Sequence, residues 1–587
     1  MNLPLECYHR ETKLLFAALP WLLVVACSTS PSTPDATPPD ATPPDAAGPV
    51  DSAPLSLDSL AGDSPVAPGK TYYIRPLGGT KDQCDGLSNQ DLNAAAAPGL
   101  KNCALNHPFQ LLPPTGSALL SGGDTMIIAK GSYRMGIGAP GSESCDSLSA
   151  YDCHLPAIPS GSANNPTRIL GEGWSSGCPH APSLWGAERP WQVIDLTGSN
   201  FVTIECLEIT DHASCVESHS NALHTCQRSS APYGDWASIG IFAAKSKEVV
   251  LRNLNIHGLA HSGIHAGQLA NWTLENVRIA GNGWVGWDGD IDASHQSSAN
   301  SGEMVFKEVT IEWNGCGETY PEETPTGCWG QSAGGYGDGL GTAETGGNWT
   351  FEDCNILHNT SDGLDLLYHS LGGTVTVRRI HSEGNGGNPL KSAGNTRIVN
   401  SLLVGNCAFF EGKAFTDNVD HCRALGNTLE ASFTTGSSYE LINSTLYGQG
   451  DVLVSMDIRE GHTCDGSETF VALNNIFIGN TDYHQPFEKT ALHYAQGCAG
   501  LVFNADYGVI HNVKGTCAVG SNDICADPIV GGQGNSFMVP QSGSPAIDSG
   551  LSVGGLIPSI DLLKETRPKG TGVDRGAYEV SATKRSN

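Results

Sequence analysis

The residues best suited to chemistry are acids that recur at nearly constant spacing. Gly337-Asp338-Gly339-Leu340 is followed by Ser361-Asp362-Gly363-Leu364-Asp365, and then by Asn388-Pro389-Leu390-Lys391. Asp338 and Asp362 are 24 residues apart, each preceding Gly-Leu, and Asp365 and Lys391 are 26 apart, each following a Leu. If the chain coils with that period, all four stack on one outer face within roughly 10 Å. Stacked carboxylates repel one another unless a hard cation sits among them, and an all-oxygen set selects Ca2+. Taken singly, each Asp-Gly is also a good turn dipeptide. Lys391 also reads as a surface lysine paired with an acid.

Two other matches carry no chemistry. Gly330-Gln-Ser332-Ala-Gly334 fits G-x-S-x-G but lies in a Gly-rich loop after Cys328, without the strand and helix that a nucleophile elbow needs. Gly281-Asn-Gly283-Trp-Val-Gly286 fits G-x-G-x-x-G, but no helical pattern follows.

A repeat must position the acids. Segments beginning at Phe201, Val250, Trp272, Val305, Trp349, Val375 and Arg397 each read as a period-2 strand, a bend, a second short strand and a Gly/Asn turn. The shorter gaps of 22 to 26 residues are one coil each, and the longer ones are coils with inserted loops. Such self-similarity means a stacked solenoid. Strand-only coils predict an all-β, right-handed parallel β-helix. A propeller would need a longer, even period, and a sandwich would not place Asn and Gly at the same turn in coil after coil.

The termini divide the chain. Residues 1–26 read as a signal segment: Arg10 and Lys13 precede the apolar run Leu14–Ala26, which is too short to span a bilayer comfortably. Val24-Val25-Ala26-Cys27 resembles a bacterial lipobox, with Cys27 as the lipidated residue, so a lipid anchor is the one expected membrane contact. Ser28 follows, where an Asp would favour inner-membrane retention, so the expected location is the outer membrane or cell surface. Residues 27–69 are Ser, Thr, Pro, Asp and Ala, a composition that stays extended as a tether. The β-helix is expected over 70–535 and a capping segment over 536–587. There, Ser544-Pro-Ala-Ile-Asp-Ser-Gly and Asp574-Arg-Gly-Ala-Tyr-Glu resemble a C-terminal segment of bacterial surface β-helix proteins.

Nineteen Cys in an exported chain of this size point to disulfides in an oxidising compartment. Neighbours in sequence suggest Cys84–Cys103, Cys145–Cys153, Cys215–Cys226, Cys316–Cys328, Cys407–Cys422, Cys464–Cys498 and Cys517–Cys525, although sequence alone leaves connectivity open. Cys354, at an inward strand position, is the expected free thiol. His212, Cys215, His219, His224 and Cys226 match no strong zinc spacing, and a disulfide fits them better. The 61 acidic residues against 31 basic ones, net −30, exclude nucleic acid as a partner, because little here neutralises phosphates. A monomer is expected.

The acid ladder and coil together resemble polysaccharide lyase family nine, the Ca2+-dependent pectate lyases of β-helix fold. The motif match covers roughly residues 330 to 400. The resemblance implies Asp338, Asp362 and Asp365 as calcium ligands and Lys391 as the catalytic base. Ser361 stands where that family has a further Asp, and Leu364 where it has an aromatic. One carboxylate fewer weakens Ca2+ binding or shifts a ligand to Ser361 or water.

The reaction so implied is β-elimination on a uronic-acid polymer such as pectate. A base removes the C5 proton beside the C6 carboxylate, and the C4–O bond breaks. Ca2+ bridging the substrate carboxylate stabilises the enolate-like charge and joins an acidic protein to an acidic polysaccharide. The base must be neutral, so an alkaline optimum is expected. Asp288, Asp290 and Asp292 have the 1-3-5 spacing of a calcium loop, but Ala293 and Ala299 replace the Gly and Glu of an EF-hand. Asp292 and Trp287 are expected to extend the substrate site, with Trp284 and Trp287 placed to stack on sugars or simply to pack. The alternatives are a non-catalytic carbohydrate-binding or adhesin β-helix and a two-carboxylate glycoside hydrolase.

Overall fold

The computed structural model describes residues 69–581 apart from 95–98, 146–147, 214–230, 292–298, 322–324, 330–336, 414–415, 418–420, 499 and 534–536. The signal segment, Cys27, most of the tether, the Cys215–Cys226 pairing, Ser332 and Asp292 lie outside the described residues. Those described belong to one compact unit, Pro65–Asn587. Among them no helix is long and apolar enough to cross a membrane.

The fold is a parallel β-helix. Two walls run together as a 23-stranded sheet, because strands such as Asn200–Asp211, Lys247–His257 and Ala270–Ala280 pass through the bend between the walls unbroken. The bend falls on a residue with left-handed backbone in coil after coil: Cys206 (φ 64°), Asn253 (52°), Asn276 (52°), Glu308 (54°), Asp353 (58°), Arg379 (55°) and Asn400 (50°) among them. Asn tolerates that region better than most residues, which is why it recurs there.

The third wall is a ten-stranded parallel sheet whose strands follow chain order from Gln192–Asp195 to Ala491–Ala495. Its inward column is Ile264, Trp287, Leu340, Leu364, Leu390, Leu429 and Val454, each paired to the next and each fully buried. Each such side chain stabilises the stack by about 1.5–3 kcal/mol. The next residue in every strand points outward, so the column His265, Asp288, Gly341, Asp365, Lys391, Glu430 and Ser455 rises beside it. Sheet alternation therefore carries polar groups up a single strip.

The true register on the first wall aligns Val202, Val249, Trp272, Met304, Trp349, Val375 and Thr396. Repeat starts at Phe201, Val250, Val305 and Arg397 are thus one residue out of phase. In pairs such as Val249-Val250 and Met304-Val305 both neighbours are apolar, and composition does not reveal which faces inward.

A ladder of buried asparagines runs through the turn that leads to the third wall. Asn282, Asn314 and Asn359 each donate from Nδ2 to the Oδ1 of the next, ending on Asn385, at 2.9 Å in all three steps. The Gly/Asn turn signature is this ladder.

The C-terminal segment runs along the flank of the solenoid. Ala546, Ala577 and Tyr578 pack on Leu402, Val404, Ile476, Ile478 and Val509. Asn443 Nδ2 donates to the Asp574 carbonyl and Asn474 Nδ2 to that of Leu551, both at 2.9 Å. Six of the expected disulfides form: Cys84–Cys103, Cys145–Cys153, Cys316–Cys328, Cys407–Cys422, Cys464–Cys498 and Cys517–Cys525. Cys178–Cys206 is a seventh that proximity in sequence missed. Cys354 is free and buried, as its inward position predicts, and burial pushes its thiol up to about 12. Residues 281–284 join the strands Ala270–Ala280 and Val285–Asp288, so the G-x-G-x-x-G match leads into a strand rather than a helix.

Candidate functional site

The site is built by three consecutive turns that enter the third wall. Asp362 N–H donates to Asp338 Oδ1 at 2.9 Å, and Asn388 N–H donates to Asp362 Oδ1 at 2.6 Å. Each acid thus caps the turn of the coil that follows. Three residues on, the strands place Asp365 opposite Lys391, and Lys391 opposite Glu430. Two columns result: Asp338, Asp362 and Asn388 in the turns, and Gly341, Asp365, Lys391 and Glu430 on the strands.

The Gly of each Asp-Gly has its own reason. A Cβ on Gly339 would lie 2.6 Å from the Gly363 carbonyl oxygen, and one on Gly363 would lie 2.5 Å from that of Pro389. Neighbouring coils approach too closely there for any side chain. Glycine is dictated by stacking, and stacking does not dictate the acid beside it.

Asp338, Asp362 and Asp365 each offer a carboxylate oxygen, and these lie within 4.8 Å of one another. Lys391 Nζ is 2.6 Å from Asp362 Oδ2 and 3.3 Å from Asp365 Oδ2. The four residues brought together by spacing therefore meet in one cluster. It is less open than an outer face implies: Asp338, Asp362 and Lys391 are 2%, 1% and 6% exposed. Burial and the neighbouring charges of Asp362 and Asp365 push Asp338 up to about 7, against the opposing pull of Arg423 and Lys391. Burial alone would lower Lys391, but the carboxylates of Asp362, Asp365 and Asp338 overcome it and hold the ammonium well above its usual range.

The all-oxygen trio fits a hard divalent cation. Three carboxylates supply up to six of the six to eight oxygens that Ca2+ takes. Ser361 Oγ accepts from Arg423 Nη1 at 2.7 Å, which leaves it one lone pair for a cation or a water.

Trp287 is a correction. It is fully buried, set edge-to-face against Trp272 at 6.0 Å and Phe306 at 5.4 Å, and belongs to the inward column of the wall. It is a core residue, turned to the inside of the wall and away from the outer strip that carries Asp365 and Lys391. Asp288, the next residue, faces outward beside His265, with 3.6 Å between Oδ2 and Nε2. Residues that sequence reasoning missed are Arg423 and Glu430. Glu430 accepts from Asn427 Nδ2 at 2.8 Å and Ser455 Oγ at 3.0 Å, and burial, with Asp457 nearby, pushes it up to about 7. Its position one coil beyond Lys391 was the available signal.

A second titratable cluster lies on the other sheet. His257 sits between Glu318 (2.8 Å) and Glu208 (3.3 Å) at a cavity of about 30 Å³ also lined by Asp211. Burial disfavours its charge, but the two glutamates raise it to about 9, so it is a structural imidazolium at neutral pH.

No family model matches the sequence, and no curated protein matches it. Solved structures similar in fold include the pectate lyase Pel9A, with 13% identity and a TM-score of 0.39, covering 88% of this chain and 97% of that one. An alginate lyase from Paenibacillus sp. str. FPU-7 has 14% identity and a TM-score of 0.30, covering 66% and 93%. A rhamnogalacturonan lyase has 13% identity and a TM-score of 0.29, covering 78% and 91%. At these identities the likeness is one of fold.

Proposed function

We propose that this protein is a polysaccharide lyase that cleaves pectate or a related uronic-acid polymer by calcium-assisted β-elimination. The observation that carries the reading is the single cluster of Asp338, Asp362, Asp365 and Lys391. Asp338, Asp362 and Asp365 would hold Ca2+, which when bound neutralises the substrate carboxylate and the charge that develops at C5. Lys391 is the base. With the trio uncompensated, its neighbours favour the ammonium, which takes no proton. With the trio neutralised, burial is the surviving influence, and burial favours the neutral amine. Lys391 then accepts the C5 proton as the C4–O bond breaks.

The lipobox-like Val24–Cys27 and the tether support a cell-surface lipoprotein that acts on polymer outside the cell. The test is product chemistry. Polygalacturonate with Ca2+ is expected to give oligomers with a C4–C5 double bond, followed by their ultraviolet absorbance. New reducing ends without that absorbance mean hydrolysis. Binding without cleavage means a carbohydrate-binding module.

A further inference from the structure

The cluster contains a second cation. Arg423 follows Cys422, whose disulfide to Cys407 closes a loop inserted after the coil of Lys391. Its backbone N–H donates to the Gly386 carbonyl at 3.1 Å, in the turn that leads to Lys391. Its Nη1 donates to Ser361 Oγ at 2.7 Å, and Ser361 is fully buried beside Asp362. Arg423 is thus held by its backbone at one end and by a guanidinium nitrogen at the other, near enough to the acid trio to oppose the upward push on Asp338. Yet the described residues give it no carboxylate partner, and a neutral hydroxyl is what holds it. Among the described residues the remaining N–H groups meet no acceptor, and they form a fork whose planar geometry matches a carboxylate. Arg459 is different: its guanidinium already lies over the Tyr368 ring at 4.2 Å.

We propose that Arg423, positioned by Ser361, binds the carboxylate of the uronate residue in the site and thereby selects the free acid over its methyl ester. This rests on the lyase reading above and names the residue that reads the substrate's charge. A cation fixed to the protein grips the carboxylate in the ground state as well as in the transition state. Its removal should therefore weaken binding more than it slows the chemistry.

The test uses the full chain with unesterified and methyl-esterified galacturonate oligomers, in kinetics and in calorimetry. Arg423→Ala is expected to raise KM for the free acid by about tenfold or more, with a much smaller change in kcat. Affinity for the ester should stay as in the wild type, so the preference for free acid shrinks by the same factor. Arg423→Lys should recover only part, since an ammonium lacks the fork. Ser361→Ala should move KM in the same direction by less. Calcium affinity should not weaken in Arg423→Ala, because a positive charge beside the acids has been removed. An unchanged acid-to-ester preference in Arg423→Ala overturns the proposal, as does a loss confined to kcat. A wild-type protein that binds the free acid through Arg423 but yields no unsaturated product refutes the lyase reading and leaves this one standing. One that binds neither oligomer refutes both.

Discussion

Lys391→Ala is expected to lower kcat on a uronate polymer by about 10²–10⁴-fold, the usual contribution of a positioned base. KM should change little, because the trio and Arg423 remain. Lys391→Arg separates chemistry from charge: it keeps a cation for Asp362 and Asp365 but carries no accessible neutral form. If Lys391 only satisfied the acids, Arg would restore activity. If it is the base, both variants are equally dead. The sign of the pH dependence follows from the form that acts. Only the neutral amine accepts a proton, and its fraction grows as pH rises whether or not the trio is neutralised, so the wild-type rate should climb towards alkaline pH. That climb should be missing from the residual activity of Lys391→Ala.

The second large effect is expected from Asn359→Ala. Asn359 Oδ1 accepts from Asn314 Nδ2 at 2.9 Å and from the Asn314 N–H at 3.1 Å, while its own Nδ2 donates to Asn385 Oδ1 at 2.9 Å. Truncation leaves the buried Asn314 N–H without a partner, at about 1–3 kcal/mol, and removes one hydrogen bond each from Asn314 Nδ2 and Asn385 Oδ1, at about 0.5–1.5 kcal/mol each. The sum is about 2–6 kcal/mol, reaching the range of the most damaging substitutions. Thermal unfolding should move to lower temperature and unfolding in denaturant should accelerate. Asn348→Ala, which removes only exposed bonds, from Asn348 Nδ2 to Glu303 and from Thr374 to Asn348 Oδ1, should do neither to a comparable degree. Because Asn359 lies three residues before Asp362, the same variant should also lose activity beyond what its unfolded fraction explains.

The coil and the convergence of the site were legible because both depend on period. Gly-Leu after Asp338 and Asp362, and Leu before Asp365 and Lys391, mark equivalent places in successive coils, and equivalent places stack. What period does not encode was missed. Trp287 lies in a strand of four residues, Val285–Asp288, too short to reveal the phase of its alternation. Arg423 enters from an inserted loop, where distance along the chain says nothing of position in space. Cys178 and Cys206 are 28 residues apart, and each sits in a different coil, so only stacking brings them together. The turn asparagines were visible as a recurring residue type, but their hydrogen-bonded file through the interior is a property of the stack.

Calorimetric titration with Ca2+ tests most directly whether the three acids work as one centre. The wild-type protein should show a tight site, and Asp362→Asn should weaken that site at least about tenfold, or 1.4 kcal/mol, by removing the central charge of the trio. Asp362→Asn binding Ca2+ as tightly as the wild type, or a wild type with no such site, would contradict the account.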